Sequence, residues 1–540
     1  GNKSSGLFID KVGDTSHANP GTVTINPDTT FTVKNGSIGI AINTEQDNIG
    51  TKGTKVVFNG EEGVVGPPAT PAKPISIHVG ADGSQKNIGI NIQSGTGHQG
   101  AYGRPLEIDA KTKTLDIEVG QVGKSGHNIG INNRGGINTL DLKVGKVNNP
   151  GGGNAGSGFG VFEVKGNQNI GFANLGFIAK SSNLELNSME INGNQNIGVL
   201  FGRNTSGATL GVNTDNQSAG WLGKGVELKL QGGIGGTPSD GTTTNSFGVY
   251  AVSGQSDETN SEMVGVNYSA TPADNELEDI TVDLNMGVRE GSTKSVLVYA
   301  GNGTGVTVKN GKATTDGLTV ANTITDGMAL SSSSPFHKYG YDVGNTNSSL
   351  ETTIAYADGI FNQNDHQIQG NVNGVENHRS IVKLINDVDM ISRRGVAFRA
   401  ENGGKVYMGI SKYSDAEGIA GDTTYAATTN AKKTRAGGYQ SVIAYAAGST
   451  SKLNSSATDR LYSNIEINGD IVAADSNVLN RRHSGTSTGS GSSDTIAINN
   501  SYKNLGAYAA GGATVFAKTS AASVTAKEAP DNVAAAGGSL

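Results

Sequence analysis

The chain has 540 residues with 81 Gly, 12 Pro and no Cys, and its formal net charge is −7 at pH 7. The lack of Cys excludes a disulfide framework and a thiolate metal site. The weakly acidic charge, without a Lys/Arg stripe interleaved with aromatic residues, argues against nucleic-acid binding. Abundant Val, Ile, Asn, Ser and Thr are typical of β-structure with many turns.

A repeated motif runs along the first half of the chain. Its clearest copies are FTVKNGSIGI (31–40), ISIHVGADGSQKNIGI (75–90), LDIEVGQVGKSGHNIGI (115–131), FEVKGNQNIGF (162–172) and MEINGNQNIGV (189–199). Each copy alternates apolar and polar residues, turns at Gly or Asn, and continues with an Ile-Gly-apolar element. The alternation predicts strands with one buried face.

The unequal spacing of the Ile-Gly element favours a solenoid. Its isoleucines are Ile38, Ile88, Ile129, Ile170 and Ile197, and the widest of these separations is nearly twice the narrowest. A solenoid accepts unequal spacing, because loops can leave the stack at its corners. We therefore predict an all-β fold, a right-handed parallel β-helix (β-solenoid) with loop excursions. With roughly 25 residues per turn, here called a coil, the chain would make about 20 coils and a rod on the order of 100 Å.

A competing interpretation starts from the Asn-Gly pairs. Asn-Gly between two strands is a strong signal for a tight hairpin turn. The segments MEI and IGV on either side of NGNQN would then pair with each other in a sandwich or a meander. The recurring Gly after the Ile favours the solenoid, because an antiparallel strand gains nothing from a glycine there.

The Asn and Gly of the motif are predicted to be structural turn residues. Asn side chains can stack and form hydrogen-bonded ladders along a corner. Gly removes a side chain where the strand bends or another backbone approaches. The residues are Asn87, Gly89, Asn128, Gly130, Asn169, Gly171, Asn196 and Gly198.

Composition divides the chain into three parts. We predict regular solenoid coils over 1–330, a looser solenoid with inserted loops over 331–518, and an Ala/Gly-rich tail or last coil over 519–540. Loops are predicted at 63–74, 148–158 and 481–494, and SSSSPFH at 331–337 marks the change. Short helical insertions are predicted within 351–364 and 380–391. The chain shows no signal peptide and no run near the ~18 apolar residues of a membrane span, so we expect a mature protein or a piece of a longer one.

The sequence predicts no catalytic, cofactor or metal site. Asn213-Thr214-Asp215 matches one element of galacturonan hydrolases, but the Asp-Asp and His-Gly elements are missing. Asp387 and Asp389 form a carboxylate pair that is expected to be solvated. The eight His are scattered, without a pair at metal-ligand spacing. We therefore predict a protein that is not an enzyme and uses no cofactor.

Aromatic residues are the remaining candidates for contact with a partner. Trp221, the single Trp, is predicted to fill a coil; exposed in a loop, it would instead be a contact residue. Tyr is common in the second half, and some of these residues are expected to line a binding face: Tyr339, Tyr341, Tyr407, Tyr413, Tyr425, Tyr439 and Tyr445.

Four segments resemble a known family: NIGI at 87–90 and 128–131, VLVYAG at 296–301, and VIAYAAG at 442–448. They are similar to turns in the passenger regions of large classical (type V, monomeric) autotransporter adhesins of the fusobacterial type. The resemblance implies a non-enzymatic, extended rod at the bacterial surface, outside the cell, that mediates coaggregation or host attachment. Its partner would be a surface protein or glycan of another bacterium or a host cell. Membrane contact would come only through a C-terminal barrel that is absent from this sequence.

Two other functions stay open. A polysaccharide-acting β-helix enzyme would need carboxylates clustered on one face over adjacent coils, with an Arg or Lys nearby. A structural surface-layer or filament subunit would need exposed edges that pair with another copy.

Overall fold

The computed structural model describes most of the repeating strands. They form 39 β-strands, numbered here in chain order, and no helix is found among them. The described residues are 4–10, 21–44, 54–61, 73–94, 106–110, 115–134, 136–137, 139–144, 162–178, 182–202, 221–222, 226–235, 243–252, 280–288, 292–301, 303–309, 323–326, 350–359, 379–384, 387–408, 432–439, 441–451, 460–473, 505–518 and 524–526.

Twelve strands form one long parallel sheet, here called face A, in which every neighbour is the next copy along the chain. They are β1 (Ser5–Asp10), β4 (Ile38–Thr44), β7 (Ile88–Ser94), β10 (Ile129–Asn133), β14 (Ile170–Asn174), β17 (Ile197–Phe201), β21 (Phe247–Ala251), β24 (Val296–Gly301), β27 (Thr353–Asp358), β30 (Val396–Glu401), β33 (Val442–Ala447) and β37 (Leu505–Ala510).

A second sheet of 20 strands supplies the other two faces. Face B, which follows face A in each coil, contains β2 (Gly21–Ile25), β5 (Thr54–Phe58), β8 (Leu106–Ala110), β12 (Thr139–Val144), β25 (Gly305–Lys309), β28 (Ile381–Leu384), β31 (Lys405–Met408) and β38 (Thr514–Lys518). Face C contains β3 (Thr30–Val33), β6 (Ile75–Val79), β9 (Leu115–Val119), β13 (Phe162–Val164), β26 (Thr323–Asp326), β29 (Asp387–Arg393), β32 (Lys432–Tyr439) and β39 (Val524–Ala526). Four longer strands run through both faces: β16 (Asn183–Ile191), β19 (Glu227–Ile234), β22 (Ile280–Val288) and β36 (Asn464–Ala473).

The remaining strands form three small sheets. β11 (Gly136–Ile137), β15 (Phe177–Ile178) and β18 (Trp221–Leu222) stack in parallel, as do β20 (Thr243–Thr244) and β23 (Ser292–Thr293). β34 (Ser449–Ser451) and β35 (Arg460–Tyr462) form an antiparallel hairpin.

The order of the strands confirms a parallel β-helix. Each coil passes through faces A, B and C and returns to face A one strand further along the rod. The hairpin interpretation is wrong, because β16 and β17, which flank NGNQN, belong to different sheets and pair with neighbouring coils instead. Each segment of alternating apolar and polar residues is too short to bury a face by itself. It obtains its hydrogen-bonding partners from the coils above and below it.

The predicted number of coils is wrong for the described residues. Ile38 pairs directly with Ile88, and Val296 pairs directly with Thr353, so each of these long separations corresponds to a single coil. Face A therefore holds twelve coils, and at about 4.8 Å per coil they extend over on the order of 50 Å. The stack is continuous past residue 331, since β24 pairs with β27.

The two predicted helical insertions are also wrong where the structure describes them. The segment within 351–364 contains β27, and the segment within 380–391 contains β28 and part of β29. Ile354, Ala355 and Ala357 of β27 are buried and extend columns of the core. Stacking on adjacent coils thus outweighs the local helix preference of Ala. The loops at 148–158, 331–337 and 481–494, and 63–72 of the loop at 63–74, lie outside the described residues.

The core is built of columns in which each inward side chain rests on its copy in the next coil. One column of face C contains Ile77, Ile117, Phe162 and Met189, each fully buried and each in register with the next. Full burial of such a side chain contributes roughly 1.5–3 kcal/mol relative to exposure. The stacked side chains thus hold these four neighbouring coils in register.

Candidate ligand-binding face

The corner before face A carries a ladder of buried asparagines, which the sequence placed at the repeat turn. The backbone N–H groups of Asn87, Asn128 and Asn169 each donate to the side-chain oxygen of the asparagine one coil further along, at 2.9, 2.9 and 2.8 Å. Asn196 continues the series, donating from its backbone to Ser246 Oγ at 3.1 Å. All four asparagines are at most 1% exposed, and their hydrogen bonds tie successive coils together.

The glycines that follow these asparagines stand where two backbones approach closely. A Cβ added to Gly89, Gly130 or Gly171 would lie 2.5, 2.6 or 2.7 Å from the carbonyl oxygen of the glycine in the next coil. At Gly198 the added atom would lie 2.6 Å from Ile191 Cδ1. The role of these glycines is therefore to allow close contact between strands, without a positive φ.

The surface of face A changes character along the rod. One position of the sheet is occupied by Ala41, Asn91, Asn132, Ala173 and Leu200 in successive coils, and the first four of these are buried. In the next six coils the same position holds a set that we call the tyrosine column: Tyr250, Tyr299, Tyr356, Arg399, Tyr445 and Tyr508. Each member is half-buried and faces outward. The residue that follows each member points inward and is always a buried Ala, from Ala251 to Ala509.

The rings of the column stack along the rod. Tyr250 and Tyr299 are parallel, with ring centroids 4.7 Å apart, and Tyr445 and Tyr508 are parallel at 5.1 Å. Tyr356 interrupts the stack, because its ring lies at 82° to that of Tyr299. The spacing matches the distance of about 4.8 Å between coils, so the parallel rings of neighbouring coils cover one another.

Arg399 takes the place of a ring in the middle of the column. Its Cζ lies 4.6 Å from the ring centroid of Tyr356 and 5.8 Å from that of Tyr445, within the range of cation–π attraction. Its guanidinium donates to Glu401 at 2.9 Å. Glu401 also accepts a hydrogen bond of 2.6 Å from the Tyr356 hydroxyl, so the cation, the ring and the carboxylate form one network.

Asp358 lies one coil before Glu401, in register with it. Its two carboxylate oxygens accept hydrogen bonds from the Tyr299 hydroxyl at 3.3 Å and from Asn402 Nδ2 at 2.8 Å. Asp358 and Glu401 thus form a short acidic edge beside the column.

The electrostatics keep the rings neutral and the guanidinium charged. Burial, followed by the charge of Asp358, raises the pKa of Tyr250 and Tyr299. Burial and then the hydrogen bond to Glu401 raise the pKa of Tyr356 well above the usual tyrosine range. Burial lowers the pKa of Arg399, but the hydrogen bond to Glu401 and the charges nearby outweigh this effect and raise it overall.

A groove of about 450 Å³ lies over the first half of the column. Its floor includes Phe247, Tyr250 and Tyr299, and Asp358 and Arg399 line it too. On the corner side, Glu351 Oε2 and Oε1 lie 3.8 Å from Lys294 Nζ and Arg394 NH1. The groove therefore combines an aromatic floor with charged groups of both signs, which is a common composition for ligand sites.

Of the tyrosines expected from the sequence to line a binding face, the column includes Tyr445. Tyr407 is buried on face B, and Tyr439 lies in β32 of face C. Tyr339, Tyr341, Tyr413 and Tyr425 lie outside the described residues.

Trp221 and the pair Asp387 and Asp389 lie in strands other than those of the column. Trp221 is in β18, where its backbone pairs with Phe177. Asp387 and Asp389 are in β29, paired with Thr323 and Thr325. Asn213, Thr214 and Asp215 lie outside the described residues.

A sequence signal for the column exists but is weak. The segments GVYA, LVYA, IAYA, AFRA, IAYA and GAYA each place Tyr or Arg before Ala, and they end at residues 251, 300, 357, 400, 446 and 509. Aligning them by the Ala, rather than by the Ile-Gly element, would have revealed the column.

Within the described part of the chain, no group of three or more His, Asp or Glu is arranged to hold a metal ion. No helix in that part is long and apolar enough to cross a membrane. No protein-family model, curated protein or solved structure matches the chain. It is therefore the geometry of this face, rather than a relative, that supports a function.

Proposed function

We propose that the chain is a non-enzymatic, rod-like segment of a bacterial surface adhesin, which mediates coaggregation or host attachment. The observation that supports it is the tyrosine column with Arg399 at its centre. Tyr and Arg are enriched in the cores of protein interfaces and among the residues that dominate binding energy. The partner is a surface protein or glycan of another bacterium or a host cell, and the segment would be displayed outside the cell.

The form of the rod supports the same proposal. The column spans six of the twelve coils of face A, so equivalent groups recur at each coil. Contacts that are weak individually add up when several engage one large surface together.

Binding to intact cells tests the proposal. The purified chain is expected to bind bacterial or cultured host cells saturably. Tyr445→Ser combined with Tyr508→Ser should weaken this binding roughly tenfold or more, because it removes a stacked pair from the outer surface. The matched control is Gln168→Ala with Gln195→Ala, a hydrogen-bonded pair at an exposed corner, and should bind like the parent chain. Circular dichroism would verify that each variant is folded.

Two results would contradict the proposal. If the chain binds saturably to none of the cell types, the adhesive function is contradicted. If the parent chain and the column variant bind equally well, the tyrosine column is not part of the binding site.

One observation also favours a polysaccharide-acting enzyme as a second candidate. Asp358 and Glu401 face each other across adjacent coils, beside Arg399, and strand spacing places such groups close to the ~5–5.5 Å typical of retaining glycosidases. However, all four carboxylate oxygens already accept hydrogen bonds from side chains. Release of reducing ends from a polysaccharide panel, abolished by Glu401→Gln, would establish this activity in place of simple binding.

A further inference from the structure

We propose that Asp358 and the tyrosines beside it bind a cationic side chain, a guanidinium or ammonium group presented by a partner protein. The inference rests on the proposed function, since it names the chemistry of the partner that this face would engage.

Arg399 shows how this face accommodates a cation. Its guanidinium packs against the Tyr356 ring and donates to Glu401, which lies further along the same strand. An aromatic ring with a neighbouring carboxylate stabilises a guanidinium by cation–π attraction and by a charge-assisted hydrogen bond. The column thus contains one such arrangement that is already filled by the chain itself.

The preceding coil repeats the arrangement with one difference. Asp358 is in register with Glu401, and Tyr356 is in register with Arg399. A tyrosine therefore stands where the next coil has its cation, and the carboxylate beside it has a position equivalent to that of Glu401. What Asp358 lacks, relative to Glu401, is a cation from its own strand.

The charges around the groove differ in their partners. Glu401 is paired with Arg399, and Glu351 lies 3.8 Å from both Lys294 and Arg394. Asp358 accepts hydrogen bonds only from the neutral groups of Tyr299 and Asn402, and no Lys or Arg of the described residues forms an ion pair with it. Glu351 thus has two cations beside it and Glu401 has one, whereas Asp358 has none within ion-pair distance among the described residues.

The groove has room for such a group, and its charged lining residues are Lys294, Glu351, Asp358 and Arg399. Its volume of about 450 Å³ lies over Tyr250, Tyr299, Tyr356 and Asp358. The negative charge of Asp358 contributes to raising the pKa of all three tyrosines, so its field extends over the aromatic floor. Because Tyr356 is turned 82° from Tyr299, the regular stacking of rings is broken at this coil.

The experiment uses probes that differ in charge but resemble one another in shape. N-acetyl-arginine amide and N-acetyl-lysine amide are titrated into the full chain by NMR or calorimetry, with neutral N-acetyl-citrulline amide as comparison. At least one cationic probe is expected to bind saturably and to inhibit adhesion to cells, whereas the citrulline probe does neither. Binding of the cationic probe should weaken as salt is added.

Asp358→Asn is the decisive variant, since it keeps the shape and removes the charge. It should weaken binding of the cationic probe roughly tenfold or more, because a hydrogen bond to a charged group is lost. Asp82→Asn is the matched control, as Asp82 is an exposed carboxylate paired with Lys34 on another part of the rod, and should leave binding unchanged. Tyr299→Phe keeps both the ring and the Asp358 charge and should retain binding.

The outcomes separate this inference from the proposed function. Adhesion to cells that citrulline inhibits as well as arginine or lysine, or that no probe inhibits, overturns the cation site and leaves the adhesin proposal standing. Charge-dependent probe binding without adhesion to any cell supports the site and overturns the adhesin proposal. If Asp358→Asn does not fold, the comparison of charged and neutral probes on the parent chain decides.

Discussion

At the scale of single residues, the corner before face A shows one structural role filled by two kinds of side chain. Asn128 accepts at 2.9 Å from the backbone of Asn87, whereas Ser246 accepts at 3.1 Å from the backbone of Asn196. Both residues are buried, and both satisfy a backbone N–H that would otherwise lose its partner on folding. The requirement at this corner is thus a short side chain with an acceptor oxygen.

Removing one of these acceptors should be costly. Asn169→Ala leaves the Asn128 N–H and the Lys165 carbonyl without the partners that Asn169 provides at 2.9 and 2.7 Å. We expect a loss of about 2 kcal/mol or more in the free energy of unfolding, measured by chemical denaturation. Asn169→Ser should cost less, because Ser fills this role elsewhere.

Val122→Ala serves as the control for this experiment, because Val122 is 46% exposed. It should change the free energy of unfolding by no more than about 0.5 kcal/mol. A loss at Asn169→Ala as small as that of the control would contradict the structural role of the ladder.

The asparagine ladder can be predicted from a short stretch of sequence, whereas the tyrosine column cannot. Asn87 and its copies stand in a motif in which turn, Asn and Ile-Gly follow one another closely along the chain. Tyr299 and Tyr356 are in contact although they are distant in the sequence, and Arg399 interrupts the series of tyrosines. Contacts between coils depend on register, and the register is visible only when the correct strands are aligned.

At the scale of the element, the strands of face A differ in the residue that occupies the glycine position of the Ile-Gly motif. The early coils use Gly there, as does β37, whereas four coils between them use a larger, fully buried residue: Leu297, Ile354, Ala397 and Ile443. The Ile-Gly element is therefore absent from β24, β27, β30 and β33. These strands bury a side chain at this position.

Substitutions that exchange Gly for a larger residue at this position, and the reverse, test how closely the strands approach. In Gly130→Ala the new Cβ would meet the Gly171 carbonyl oxygen at 2.6 Å and Val119 Cγ2 at 2.9 Å. We expect a loss of about 1–3 kcal/mol from overpacking. The reverse change, Ala397→Gly, should cost at most about 1 kcal/mol, through backbone entropy and lost packing. Unfolding midpoints of the two variants provide the test, and a neutral Gly130→Ala would contradict the close approach of the strands.

The errors at this scale have a common physical cause. The number of coils was overestimated because a mean coil length was applied, whereas Ile38 and Ile88 are direct partners across a much longer segment. A helix is predicted within 351–364, which contains Ala, Tyr and Ile, yet β27 is a strand because both of its neighbours in face A are strands. In each case the structure of a segment depends on its pairing with the neighbouring coil. An interpretation of the segment's own sequence does not include that pairing.

At the scale of the whole molecule, each coil contacts chiefly the coils on either side of it. β14 pairs only with β10 and β17 in face A, and β16 joins β12 and β13 to β19. Such a rod is stabilised by contacts between nearest neighbours rather than by one central core.

A complete coil should therefore be removable. Deleting 170–196 joins Asn169 to Ile197, and it restores the Asn-Ile-Gly element and every column. We expect a folded chain with a β-type circular dichroism spectrum, cooperative unfolding and a slightly shorter rod. Deleting only β17, Ile197–Phe201, removes one strand of face A and should be far more damaging. Equal damage from the two deletions would contradict stabilisation by nearest neighbours.

The corners of the rod give the sequence unusual freedom in length. The coil from Val296 to Thr353 is more than twice as long as the coil from Ile170 to Ile197, yet both pairs occupy equivalent positions in face A. The entropic cost of closing a loop grows only with the logarithm of its length, so doubling the segment costs about 0.6 kcal/mol. Insertions at the corners are therefore nearly neutral for folding, and new surface can arise there by drift while the stacked strands stay unchanged.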